Sequence, residues 1–341
     1  MIYSAVLIKA GNHSIKMQLA PEIKKQLEEQ KKQCIFCRLI SGEIPNAKKV
    51  FEDDKTIALL DIYPALKGHT LFMLKEHYPL PMYASQEELA HKFSLISDLS
   101  KALKSALIKT GMNIFITLGG VAGQQSYHFM AHLLPRENGD GFYNFLLKKG
   151  AKNGDQEKMI ISDLLHKAMQ KETLSQFSPT DEGMVIYEDE KVRAIIPNNA
   201  SAKGQVTLYS KKESQYIEKL SQEDSAYLFF TASMVSKVVF EAVKAQGTNI
   251  LLMSGESDDN PSGALAIHIL PRWQDDGLQG LIWEPKRPSY NLDDVASKIK
   301  DKAWNVKFEG KIKKEITADS FDITPNAQKE IMKAIQTVRS G

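Results

Sequence analysis

Gly123-Gln124-Gln125-Ser126-Tyr127-His128-Phe129-Met130-Ala131-His132-Leu133-Leu134-Pro135-Arg136 is the stretch on which the reading turns. Its end, His132-Leu133-Leu134-Pro135-Arg136, returns 136 positions later as His268-Ile269-Leu270-Pro271-Arg272. The same offset carries Glu52-Asp53 to Glu188-Asp189, Lys67-Gly68 to Lys203-Gly204, Asn113-Ile114 to Asn249-Ile250 and Asp140-Gly141 to Asp276-Gly277. A register held without slippage over so long a stretch marks a duplicated domain. Each copy can therefore be compared with the other, position by position.

Around this core the chain reads as α+β. Apolar runs at Val50–Phe51, Thr56–Leu60 and Thr70–Leu74 read as strands. Ser85-Gln86-Glu87-Glu88 is a capping box, with the hydroxyl and the carboxylate each reaching a free backbone amide. Leu89, Phe93, Ile96 and Leu103 then follow at helical spacing, and Gly111 stands where a glycine stop is expected. Ser221-Gln222-Glu223-Asp224 and Gly247 repeat the pattern. Further strands are expected from Asn113 and Asn249, and over 126–134 and 262–270. On the last of these in the first copy, alternation puts Ser126, His128, Met130 and His132 on one face. The parts are then a hairpin and helix over 1–33, a first domain over 34–150, and a helical linker over 151–182. A second domain over 183–284 and a lysine-rich tail over 285–341, with a helix at 325–338, complete the chain.

Bulk properties narrow the function. The 341 residues suit about two domains. A net charge of +2 argues against a large nucleic-acid footprint. No apolar run reaches the length of a membrane span, and the N-terminus lacks the pattern of a secretory signal, so a cytoplasmic protein is expected. The two cysteines form one Cys-x-x-Cys, Cys34 and Cys37, which in that compartment points to a metal or a redox pair before a disulfide.

The residues at 123–136 resemble the histidine-triad (HIT) superfamily, whose motif is His-x-His-x-His-x-x, often followed by Pro-Arg. Cys34-Ile35-Phe36-Cys37, Gly42-Glu43-Ile44-Pro45, Asp61-Ile62-Tyr63-Pro64 and Lys67-Gly68-His69 extend the resemblance towards the zinc-containing branch. The resemblance implies two HIT-like domains, each an antiparallel sheet with one long helix, paired as an intramolecular pseudo-dimer in a monomer. The family's tandem hexose-1-phosphate uridylyltransferases have a comparable length, but keep a His-Pro-His nucleophile motif where this chain has His128-Phe129-Met130.

The family's nucleophile is the middle histidine, which forms a nucleotidyl intermediate. Here that position is Met130, and its counterpart is Ala266. A thioether is a weak nucleophile towards phosphorus and cannot serve as acid or base, so neither copy is expected to turn over a nucleotide. The resemblance assigns Cys34, Cys37, His77 and His128 to a closed structural zinc site. Their counterparts Gln170, Thr173, Glu213 and Ala264 are all non-matching, a joint loss that a shared ligand set predicts. It assigns Asp61 to the ribose, Ile62 to the base, and Gln124, Gln125 and His132 to the phosphates. Asp61 can equally be a turn acid, and His132 a support for the Pro-Arg turn. His69 and Lys67 are expected as turn and surface residues, and Trp273 and Trp283 as packing. The leading expectation is a non-catalytic protein binding a purine nucleotide or a protein partner. A HIT-type hydrolase or transferase with a non-standard site, and a ribonucleoprotein scaffold using the tail at 298–314 with RNA stacking on the tryptophans, stay open beside it.

Overall fold

The computed structural model describes residues 21–45, 47–142, 150–169, 178–180, 182–278, 283 and 286–310. The hairpin expected over 1–18 and the helix expected over 325–338 lie outside the described residues. Helices α1 (Pro21–Gln33) and α2 (Ile35–Ile40) lead into the first copy. That copy runs β1 (Lys49–Glu52), β2 (Thr56–Leu60), β3 (Thr70–Leu74), α3 (Gln86–Leu107), β4 (Gly111–Leu118) and β5 (Met130–Arg136). After α4 (Asp155–Ala168) and the short β6 (Ser178–Pro179) the series repeats as β7 (Gly183–Glu188), β8 (Val192–Pro197), β9 (Val206–Ser210), α5 (Gln222–Ala242), β10 (Gly247–Ser254) and β11 (Ala266–Arg272), followed by α6 (Leu292–Ala303).

All of these strands form one antiparallel sheet in the order β1-β2-β3-β5-β4-β10-β11-β9-β8-β7-β6. The seam between copies is the β4–β10 pair, in which Phe115 lies opposite Leu251. Leu251 is Phe115's own counterpart in the repeat. On either side Met112 faces Ser254 and Leu118 faces Thr248, each the counterpart of the other pair's member. The seam is thus a pseudo-two-fold axis, the one-chain form of an isologous dimer contact.

Helices α3 and α5 pack together on one side of this sheet. The Ser85 hydroxyl accepts from the Glu88 amide at 3.2 Å while the Ser85 amide donates to Glu88 Oε2 at 3.0 Å. Such a cap stabilises the helix by about 1 kcal/mol. Leu89, Phe93, Ile96 and Leu103 all lie in the core, and full burial of a side chain like Phe93 contributes about 1.5–3 kcal/mol.

Gly111 and Gly247 are not the helix stops. α3 ends on the left-handed Ile108 (φ 57°), and its counterpart Lys244 (φ 53°) follows α5 in the same conformation. The glycines begin β4 and β10, where the other copy's backbone passes. A Cβ on Gly111 would lie 2.6 Å from the Glu256 carbonyl, and one on Gly247 2.9 Å from that of Leu118. Close approach at the seam, rather than chain termination, calls for glycine here.

Helices α4 and α6 cross over. α4, at the end of the first copy, packs on α5 and β7 of the second; α6, at the end of the second, packs on α3 and β1 of the first. No described helix is long and apolar enough to cross a membrane.

Candidate nucleotide and metal sites

β5 orders the chemistry. Ala131 and Leu133 face the helix-side core, while Met130 and Leu134 belong to clusters on the opposite face of the sheet. His132 lies between them on that second face. The expected strand starts too early: β5 begins at Met130, and Ser126 and His128 sit in a bend before it. His128 is therefore aimed by the bend, not by strand alternation. β11 likewise begins at Ala266.

The bend brings His128 to Cys34, Cys37 and His77. These four residues offer ligand atoms that all lie within 4.8 Å of one another. The His128 Nε2 hydrogen is donated to the Leu74 carbonyl at 2.8 Å. Its Nδ1 lone pair then points at the sulfurs of Cys34 (3.7 Å) and Cys37 (3.6 Å), and His77 Nδ1 lies 3.3 Å from Cys37 Sγ. A tetrahedral zinc with ordinary Zn–S and Zn–N bonds sets sulfur and nitrogen about 3.5 Å apart. Both cysteines are free thiols. The set fits a metal ion, and the carbonyl fixes the imidazole as a second-shell partner does. In the second copy Glu213 and Ala264 offer no such set, and Gln170 and Thr173 lie outside the described residues.

On the same side of the sheet His69 is buried, against the expectation of a surface turn residue. Its Nδ1 accepts from the Ala65 amide at 3.2 Å, and its Nε2 lies 3.0 Å from His132 Nδ1. An Nδ1 that accepts leaves the proton on Nε2, so His69 donates to His132. His132 Nδ1 then accepts, and His132 keeps its own hydrogen on Nε2. Burial pushes the His132 imidazole down to about 4 and holds His69 well below the usual histidine range. The signal for His69 was available in Lys67-Gly68-His69, since a residue just past a turn glycine opens the next strand and can face inward.

Asp61 stands beside this pair. Its Oδ1 accepts from the Tyr63 amide at 2.8 Å, while Oδ2 lies 3.4 Å from His69 Nδ1. Burial raises its carboxyl above the ordinary aspartate range. Ile62 and Tyr63 follow as exposed apolar residues, 55% and 42% accessible. Gln125 is exposed, whereas Gln124 is buried and fully committed. Gln124 Oε1 accepts from the Gly119 amide, and its Nε2 donates to the Pro79 and Ser126 carbonyls. The Gln124 side chain braces the loop and has no reach to spare for a phosphate, which corrects the expectation for it. Met130 is buried with Ile57, Leu59, Leu71 and Met73.

The second copy contributes to this site. Trp283 meets His69 and His132 edge-on, with ring centroids at 5.0 and 5.2 Å. Trp273 instead donates its indole hydrogen to the Lys244 carbonyl at 3.2 Å. At the second copy's own site Gln205 replaces His69 and accepts from the Ser201 amide, and His268 Nδ1 meets the Thr207 hydroxyl at 3.2 Å. Pro197 stands where Asp61 does in the first copy. No pocket chemistry survives in that set.

Arg136 was not foreseen as part of the seam. It is fully buried, bonds Asp140 through Nε at 2.7 Å, and reaches Asp259 of the second copy through Nη1 at 2.8 Å. The signal was the recurrence of Arg and Asp four apart, as Arg136–Asp140 and Arg272–Asp276.

The HIT domain model matches residues 41–139 and 178–275. An uncharacterised HIT-like protein of Methanocaldococcus jannaschii is 44% identical over 108 residues, 32% of this chain and 82% of that protein. The Bacillus subtilis protein hit is 40% identical over 111 residues, 32% of this chain and 75% of its own. Among solved structures, a zinc-bound histidine triad family protein from Mycobacterium smegmatis is 32% identical with a TM-score of 0.31, covering 33% of this chain and 81% of its own. Each of these matches spans about a third of this chain.

Proposed function

This chain belongs to the HIT family, and from that premise we propose that it is a catalytically degenerate tandem member whose first copy binds a purine nucleotide without turning it over. The observation that carries the reading is that the Ala65 amide donates to His69 Nδ1 while His69 Nε2 lies 3.0 Å from His132 Nδ1, a geometry that the Nε2–H form of both rings satisfies. Attack on phosphorus needs a free imidazole lone pair. Met130 has none to offer as a base, and the remaining histidine of the motif has its Nδ1 engaged and a hydrogen on Nε2. His132 can donate to a phosphate oxygen but cannot form a bond to phosphorus in that tautomer. The alternative of hydrolysis through His132 is disfavoured on the same ground.

Binding is supported by what remains. Asp61 Oδ2 has no hydrogen-bond donor among the described residues and can accept from a ribose hydroxyl. Ile62 and Tyr63 offer apolar surface beside it for a base. Gln125 and the backbone amides near it are the remaining phosphate contacts of this reading, in place of the Gln124 side chain. The second copy acts as the dimer mate, so the protein works as a monomer.

We infer zinc as the ion of the Cys34, Cys37, His77 and His128 set. Two thiolates and two imidazoles suit zinc over magnesium or calcium. With four protein ligands the ion would have no open position, so its part is structural. It would tie α2 to the bend before β5.

Titration calorimetry with AMP and GMP tests the binding claim. The wild type is expected to bind at least one of them, and Asp61→Ala is expected to lose most of that affinity. Failure to bind any of a panel of purine nucleotides would leave the reading without its ligand.

A further inference from the structure

The two ends of the first copy's site differ in chemistry. Asp61, His69 and His132 follow one another, with 3.4 Å from Asp61 Oδ2 to His69 Nδ1 and 3.0 Å from His69 Nε2 to His132 Nδ1. A nucleotide held as proposed above runs from ribose to phosphate along that series. Its ribose end is open, beside the exposed Ile62 and Tyr63. Its phosphate end is walled by rings. Trp283 meets both histidines edge-on, and Phe115 lies 6.5 Å from His132. Phe115 and Phe142 flank the indole at 6.1 and 6.4 Å. The indole packs on the apolar cluster that straddles the seam and includes Leu251 and Met253 of the second copy. Further along the chain the Tyr290 hydroxyl donates to the Leu66 carbonyl at 3.5 Å, in the turn between Asp61 and His69. The chain beyond the second copy's last strand is thus tied to the first copy's site at two points.

We propose that Trp283, supplied by the second copy, limits the first copy's ligand to a nucleoside monophosphate. The inference rests on the nucleotide reading above and adds which nucleotides are turned away. One phosphate takes the hydrogen that His132 keeps on Nε2. A phosphate beyond it meets Trp283, Phe115 and Phe142, whose rings carry no positive charge. The indole N–H is a single neutral donor. One neutral hydrogen bond returns far less than the loss of water around a further phosphate charge costs. The selectivity is therefore a property of the tandem chain, since the wall that produces it comes from the other copy.

Calorimetry on the full-length protein tests this, with AMP, ADP and ATP as probes in the absence of magnesium. The wild type is expected to bind AMP at least tenfold more tightly than ATP, with ADP between them. Trp283→Ala is expected to narrow the AMP-to-ATP ratio to less than threefold, and Trp283→Phe to keep most of it. Near-ultraviolet circular dichroism establishes that each variant is folded. A second measurement needs no change at the site. With Trp273→Phe and Trp304→Phe in place, AMP is expected to shift the emission of Trp283. ATP bound as tightly as AMP, as recruitment of the exposed Lys286 and Arg287 to the outer phosphates would give, overturns the proposal. So does an undiminished ratio in folded Trp283→Ala, or a Trp283 emission that bound AMP leaves unchanged. Binding of none of the three nucleotides instead removes the nucleotide reading itself, and the proposal with it.

Discussion

His69 Nε2 and His132 Nδ1 are 3.0 Å apart, and the Ala65 amide on the far side of the His69 ring decides which of them holds the hydrogen. The pair is a fixed, neutral donor–acceptor chain that ends in a donor. Both imidazoles bind protons more weakly in the fold than in the unfolded chain. The unfolded chain therefore takes up more protons as pH falls below about 6.5. Stability is expected to decline with falling pH through the window from the ordinary histidine value down to about 4, the value for His132. Imidazole nitrogen NMR checks it: His132 is expected to stay in the Nε2–H form at pH 6, and His132→Asn to reduce the acid-side slope of the melting temperature.

Lys92 is the least comfortable group in the core. It is fully buried on α3 with no hydrogen-bond partner for Nζ among the described residues, and Nζ lies 3.5 Å from the centre of the Phe129 ring. Burial holds its ammonium well below the usual lysine range. The unfolded chain keeps the proton up to the ordinary value, so stability rises with pH between the depressed value and about 10.4. The second copy has Leu228 at this place. Lys92→Leu is expected to stabilise the protein by about 1–3 kcal/mol at neutral pH and to flatten that alkaline rise. Urea unfolding across pH measures both.

Arg136 and Asp259 are each fully buried and belong to different copies. Asp259 also accepts from Asn113 Nδ2 at 2.9 Å. Asp259→Ala leaves Arg136 paired with Asp140 but takes the acceptor from two buried donors, Arg136 Nη1 and Asn113 Nδ2, at a cost of about 1–3 kcal/mol each. Asp259→Ala is expected to destabilise the whole chain by that order in chemical denaturation, because the seam is one continuous sheet. The exposed Arg38–Glu43 pair is the contrast, and Glu43→Ala is expected to change stability by less than about 1 kcal/mol.

The metal set makes a separate prediction. Elemental analysis of the purified protein is expected to give about one zinc per chain. Cys34→Ser is expected to lose it and lower the melting temperature, and a chelator is expected to reproduce that loss in the wild type but not in the variant. A second equivalent of zinc is not expected, since Glu213 and Ala264 replace ligands in the second copy.

Much of this was legible in the sequence because duplication is a strong signal. The constant offset gave the two copies, and the capping box at Ser85 and the serine N-cap at Ser221 located both long helices. The metal set came from the resemblance to the zinc-containing branch, and the joint replacement of its four members in the second copy agreed with it. What failed had local causes. Gly111 and Gly247 look like helix stops by position, but their need for glycine comes from the other copy's backbone, which no local pattern reports. Ser126 and His128 fit strand alternation, yet the loop braced by Gln124 delays the strand to Met130. His69 reads as polar and adjacent to a turn, and only the pairing with His132 explains its burial. The crossing of α4 and α6 depends on tertiary packing, and the apolar spacing of those helices gives no partner. Arg136 was visible in the Pro-Arg repeat, but Asp259 lies in the part of the second copy that matches the first least.

The most direct measurement is intact-mass analysis after incubation with adenosine 5′-phosphoramidate, with release of AMP followed on the same sample. The account predicts an unmodified polypeptide mass and no AMP above background, while AMP itself raises the melting temperature as a ligand of the folded state. A covalent adenylyl adduct, or AMP release abolished by His132→Ala, would contradict it.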